Sequence, residues 1–188
     1  MALICAAAMI MLASLELAAM DNHGNQMLED AITLHNAGID GDIESTKSAI
    51  ELLKGIVKEE PDNGRAIAYL GSGYSLLGRD SKTVADRIRY ANRGLRYLDQ
   101  ALSIEPMNFE FLVIRASVSV ELPKIFGRKD DAINDMITLD GIYSGISNPD
   151  PLMAKGMIDI YARLSNVAPQ LGDWPKKMAD AKARSGEE

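Results

Sequence analysis

The sequence predicts an all-α protein, and three observations carry that prediction. Apolar residues recur at steps of three and four in eight successive segments, the spacing that puts them on one helix face. Proline and glycine fall at the ends of those segments, where a missing amide or a flexible backbone costs little. No segment alternates apolar and polar residues with period two, and the Asp40-Gly41 pair lies between two helical patterns instead of two strands. Composition agrees with this. Of the 188 residues 47% are hydrophobic but only 5% are aromatic, so alanine, leucine, isoleucine and methionine carry the apolar share, a set that favours helices over sandwiches or barrels.

The elements follow in order. Met1 to Met20 reads MALICAAAMIMLASLELAAM, with no charge before Glu16. An apolar run of this length before the polar Asp21-Asn22-His23-Gly24-Asn25 has the shape of a secretory signal, though no Lys or Arg precedes it. Residues 1–20 are therefore read as an apolar leader: an export signal, a membrane anchor, or else a first helix of the fold. The run is short for a span of ~20 residues. The matching location is exported, periplasmic or membrane-associated, with the cytoplasm as the alternative. Residues 21–41 are read as a linker and a weak first helix on Met27, Ala31 and Leu34, ended by Gly38.

Residues 42–188 are read as the main domain. A second helix carries Ile43, Ile50, Leu53, Ile56 and Val57 and ends near Pro61. A third carries Ile67, Leu70, Tyr74 and Leu77, with Gly78 just past its end. A fourth runs through Ile88, Ala91, Leu95, Leu98 and Leu102 and ends before Pro106. Phe111, Leu112, Ala116 and Ser119 mark a fifth, stopped by Pro123. Ala132, Ile133, Met136, Ile137 and Leu139 mark a sixth. Leu152, Met153, Gly156 and Ile160 mark a seventh, begun by an Asp150 cap and Pro151 in the first turn. Trp174 to Arg184 is the eighth, with Trp174 as its anchor. Asp62 and Asn108 are the other expected caps.

The chain repeats itself. Ala49, Leu53, Ile56 and Glu60-Pro61 match Gly94, Leu98, Ala101 and Glu105-Pro106 at a constant offset of 45 residues. Past the proline, Ile67, Leu70, Gly71 and Tyr74 match Leu112, Arg115, Ala116 and Ser119. A fainter third copy runs from Phe126-Gly127-Arg128 to Ala132, Met136 and Leu139.

This pattern resembles the tetratricopeptide repeat. Ile67, Leu70-Gly71 and Tyr74 stand where that family's helix A has a bulky residue, Leu-Gly and Tyr. Gly94, Leu98, Ala101 and Pro106 stand where its helix B has small, large, Ala and Pro. Small residues at Gly71, Gly94 and Ala101 let helices approach closely while Tyr74 and Leu98 fill the space between them. The likeness covers Ile43 to Leu139 well and the flanks weakly. It departs in length: Gly71 to Pro106 spans 35 residues where the family spacing is about 24. The surplus is expected as an insert around Arg79 to Arg89, with a smaller one from Pro123 to Lys129. The resemblance implies antiparallel helix pairs stacked as a short right-handed solenoid.

The resemblance also implies a concave groove that holds peptide segments. Its positions fall on Arg65, Ala68, Ser72, Ser75 and Leu76, and in the next copy on Glu110, Val113, Ser117, Val120 and Glu121. These side chains suit an extended, partly apolar segment. The function expected is a non-catalytic adaptor or scaffold for a protein or peptide partner. The alternative is an assembly subunit that stacks its ends on copies of itself or on a larger envelope complex.

Other features are weaker. The net charge is −7, from 20 Lys+Arg against 27 Asp+Glu, which argues against nucleic acid as a partner. Within that acidity the stretch Arg79 to Arg96 carries a net +4. Arg89, Arg93 and Arg96 share one helix face there, either as a solvated surface or as a patch for an acidic partner. Cys5 is the one cysteine, so no intrachain disulfide or cysteine zinc site forms. Asp40, Asp42, Glu44 and Glu51 have some of the spacing of a calcium loop, but Ser45 and Lys47 depart from it, and Asp42 or Ser45 reads as a helix cap. His23 and His35 have no metal-ligand spacing. No nucleophile elbow or phosphate loop occurs. No catalytic residue, metal or cofactor is expected, and membrane association only through the N-terminal segment.

Overall fold

The computed structural model describes residues 24–186. Among these are eight α-helices and no strand. They are α1 (24–39), α2 (Ile43–Glu59), α3 (Gly64–Arg79), α4 (Val84–Ile104), α5 (Phe109–Glu121), α6 (Lys129–Ser144), α7 (Pro151–Val167) and α8 (Trp174–Ser185). Short 3-10 turns, Lys124–Phe126 and Pro169–Leu171, precede α6 and α8. The expected leader over 1–20 lies outside the described residues. The chain divides into two compact units, Met1–Gly94 and Leu95–Glu188, at a point inside α4.

In the first unit, α1 is a full helix where a linker and a weak helix were expected. Its buried stripe is Leu28, Ala31, Ile32 and His35, the i, i+3, i+4, i+7 set of an amphipathic helix. The stripe is hard to see in the sequence because one of its four members is a histidine. The α1–α2 turn ends on Asp42, whose Oδ1 accepts the Ser45 backbone N–H at 3.0 Å and whose Oδ2 accepts the Ser45 hydroxyl at 2.7 Å. That is a cap for α2. Glu44 and Glu51 lie inside α2, each paired with a lysine three residues on.

The 45-residue repeat has a local physical basis. At the first Glu-Pro turn, Asn63 accepts the Ala66 N–H at 2.9 Å and donates its amide to Glu60 at 2.8 Å. At the second, Asn108 accepts the Phe111 N–H at 3.2 Å and donates to Glu105 at 2.9 Å. The same Glu-Pro-x-Asn sequence thus closes one helix and caps the next twice. The first cap is Asn63, not the expected Asp62, because only Asn63 stands three residues before the amide it receives.

The α3–α4 junction corrects two expectations. Gly78 lies inside α3 and not beyond it; a Cβ there would stand 3.2 Å from both the Arg87 carbonyl oxygen and the Ala91 nitrogen. The expected insert around Arg79 to Arg89 is not a loop either. Only residues 80–83 separate the helices, and the surplus lengthens α4 to 21 residues. Thr83 starts α4 early: its hydroxyl accepts the Asp86 N–H at 3.1 Å and donates to the Asp86 carboxylate at 2.8 Å, a reciprocal cap. Along this contact Gly94 is placed so that a Cβ would meet the Gly71 carbonyl oxygen at 2.5 Å, so only glycine lets α4 lie this close to α3.

In the second unit α5 packs on α6 and α7 on α8, around buried Phe111, Leu112, Met136, Leu139, Met157, Ile160 and Leu164. Arg115 stands in the repeat where Leu70 stands in the first copy. It forms two bonds to buried Asp135, at 2.7 and 2.8 Å, and a third to Asp99 at 3.0 Å. A charge thus replaces an apolar contact, with Asp135 on the next helix as its partner. Trp174 anchors α8 as expected: its indole N–H donates to the Ala168 carbonyl at 2.8 Å, and its ring stacks on Tyr161 with centroids 6.2 Å apart.

Candidate functional site

The expected groove positions divide into those the structure leaves accessible and those it covers. In the first unit, α1 lies against the face of α3 that carries them. Arg65 pairs with Glu29 of α1. Ala68 has no exposed surface. Ser72 is buried, and its hydroxyl is 2.8 Å from Nε2 of His35 on α1. The Tyr69 ring meets His35 edge-on at 5.1 Å. Ser75 bonds back to the Gly71 carbonyl at 3.0 Å, beside Gly94. Arg65 and Ser75 keep part of their surface, whereas Ala68 and Ser72 serve as packing positions, a correction to their expected place in an open groove. Their small size, expected as room for a ligand, is room for α1.

The second unit is different. Glu110, Val113, Ser117 and Val120 all remain half-exposed on α5, at steps of three and four that form one continuous stripe. The opposite face of the same helix (Phe111, Leu112, Ala116 and Ser119) is buried. At the end of the stripe, Glu121 receives the Arg163 guanidinium of α7 at 2.7 Å, and Arg163 also pairs with Asp159 at 2.8 Å. Lys155, Asp159 and Arg163 follow one another at single turns of α7. The α5 face thus presents two valines over a small serine, with charged side chains at both ends and an ion pair tying it to α7.

Several basic residues of α4 and its approach are individually employed. Arg79 donates to the carbonyls of Gly38 and Ile39 at 2.8 and 3.0 Å, closing the C-terminus of α1. Arg87 donates to the Ser81 carbonyl at 2.8 Å. Arg89 pairs with Asp86 at 2.8 Å and lies 4.8 Å from the Tyr90 ring centre. Arg93 stacks 4.3 Å over Tyr74, whose ring lies parallel to Tyr90. Arg96 is exposed. Two residues whose structural roles the sequence did not reveal, Arg115 and His35, are among the most constrained polar groups. The signal for Arg115 was its place in the repeat register; for His35 it was the three-and-four spacing with Leu28, Ala31 and Ile32. Burial holds the His35 imidazole below its ordinary pKa of 6.5, an effect that the bond to Asn36 partly offsets. Among the described residues no cluster of three metal-ligating side chains occurs, and no helix is long and apolar enough to cross a membrane.

No protein-family model and no curated protein matches the sequence. A solved structure is similar in three dimensions: the crystal structure of a thermophilic TPR (tetratricopeptide repeat) protein in Thermus thermophilus. It is 18% identical, the match covers 89% of this chain and 87% of that one, and the TM-score is 0.57. With the repeated Glu-Pro-x-Asn turns and the antiparallel helix order, this likeness gives the chain a tetratricopeptide-type, all-helical repeat fold.

Proposed function

We propose that the protein is a non-catalytic interaction module that binds an extended protein or peptide segment along the α5 face. The observation that carries this reading is the half-exposed stripe Glu110, Val113, Ser117 and Val120. An extended segment places alternate side chains about 7 Å apart, close to the rise of one to two helical turns between stripe residues. Its apolar side chains can cover Val113 and Val120 while Ser117 leaves space for its backbone. The polar character of α8 also supports binding over end-to-end stacking. That helix buries only Trp174 and Ala181 and turns lysines, an aspartate and an arginine outward, as the closing helix of a repeat array does.

The test is selection of peptides from a random library on the full chain, followed by binding to Val113→Arg and Val120→Arg. Selected peptides are expected to lose at least about tenfold in affinity on either variant, with the circular dichroism spectrum unchanged, since a cation then stands on the contact. Peptides that bind both variants as well as the parent would sink the reading.

A further inference from the structure

The contact of α1 with α3 in the first unit has a polar centre. The buried stripe of α1 is Leu28, Ala31, Ile32 and His35, so one of the groups that hold this helix down can take up a proton. His35 is 3% exposed and Ser72, its partner on α3, 8%. Nδ1 of His35 faces Oδ1 of Asn36 at 3.2 Å, and Nε2 lies 2.8 Å from the Ser72 hydroxyl oxygen. An amide oxygen only accepts, so Nδ1 carries the proton of the neutral ring and Nε2 accepts the serine O–H. A second proton has to enter at Nε2, where it displaces that O–H from its acceptor.

The surroundings offer the resulting charge no counter-ion. From α3, His35 meets Ser72 and the Tyr69 ring, and Arg65, 5.8 Å from the Tyr69 ring centre, adds a positive charge there. The residues that α2 buries are Thr46, Ala49, Ile50, Leu53 and Ile56, none of them ionisable. On α1 itself the neighbour is the neutral Asn36, and Glu29 is paired with Arg65. A buried imidazolium without a partner is costly where the neutral ring is not. The other ties of α1 resist less. The Glu29–Arg65 pair is exposed at both ends and stabilises little. The Arg79 bonds to the Gly38 and Ile39 carbonyls hold only the end of the helix next to α2.

We propose that α1 is an acid-released cover: protonation of His35 undocks α1 from α3 and uncovers Ala68 and Ser72, while α2, α3 and α4 stay folded. The remaining three helices keep a core of their own in Leu53, Ile56, Ile67, Leu70 and Leu98. Ala68 and Ser72 stand 45 residues before Val113 and Ser117, so the uncovered face of α3 has the register of the α5 stripe. Its use in binding rests on the reading of α5 given above; the release of α1 does not.

The experiment is hydrogen exchange of the full chain at pH 7.5 and pH 5, expressed as protection factors so that the intrinsic pH dependence of exchange cancels. A released His35 returns to its ordinary pKa of 6.5, so at pH 5 protonation favours release by up to about thirtyfold. Protection in α1 is expected to fall by about tenfold or more, with a change below about twofold in α2 and α3. His35→Gln and His35→Leu take up no proton, and in either variant that folds at pH 7.5 α1 is expected to keep its protection at pH 5. The proposal is overturned by equal α1 protection at the two pH values, by an equal loss across α1 to α4, or by variants that lose α1 protection as the parent does.

Discussion

Single side chains set the most exacting demands in this fold. Asp135 has only 5% of its side chain exposed and holds Arg115 by two bonds. Removing one partner of such a pair strands the other charge in a poorly solvated place. Asp135→Ala is therefore expected to lower stability by about 3 kcal/mol in urea unfolding, with Asp99 keeping part of the Arg115 charge satisfied. A loss within error of zero would mean that Arg115 swings out to solvent. His35 gives a pH dependence of definite sign. Its folded pKa lies below the ordinary 6.5 because burial disfavours the imidazolium. The unfolded chain then binds more protons just below pH 6.5, so stability is full above that pH and falls as the solution is acidified towards the folded pKa. His35→Gln can still reach Ser72 and should flatten this slope. Melting curves from about pH 7.5 to 5 compare the two directly, and parallel curves would exclude His35 as the cause.

At the level of helices, caps and anchors decide where elements start. Thr83 converts an expected insert into the first turn of α4, and Thr83→Ala is expected to cost about 1 kcal/mol and to fray that turn. Trp174 is the main apolar contact of α8. Trp174→Ala is expected to cost about 3–5 kcal/mol if the cavity does not collapse. Hydrogen exchange should then become fast in α8 while α5 and α6 keep their protection; uniform loss across the second unit would show that α8 is not a separable element. The sequence legibility of these helices follows from what each one buries. The helices of the repeat were readable from apolar spacing because α2 to α6 bury aliphatic side chains on one face. The start of α4 was not, since it rests on a Thr-x-x-Asp cap inside a charged stretch. The face of α1 was missed because His35 counts as polar until Ser72 is seen beside it. The expected groove register on α5 came from the repeat, but burial of Ala68 and Ser72 depends on α1, whose docking no local pattern encodes.

On the scale of the whole molecule, charge and surface point to the kind of partner it meets. A net charge of −7 repels polyanions, and Arg79 and Arg89 already spend their charge on carbonyl or carboxylate neighbours. No retardation of nucleic acid is expected in a mobility-shift assay at about 0.15 M salt; a complex whose affinity falls steeply with salt would overturn this. Ser72→Arg separates packing from recognition. An arginine cannot replace a buried hydroxyl beside His35, so this variant is expected to lose folded protein, whereas Val113→Arg loses only binding. A Ser72→Arg protein that melts like the parent would place α1 elsewhere. The close approach at Gly94 has a consequence for inheritance. Every single-base change in a glycine codon that alters the residue adds at least one side-chain carbon or introduces a stop. At position 94 that carbon collides with backbone, so this codon has no mild neighbour. The outward positions of α8, bounded by solvent, can drift through many residue types before anything is lost.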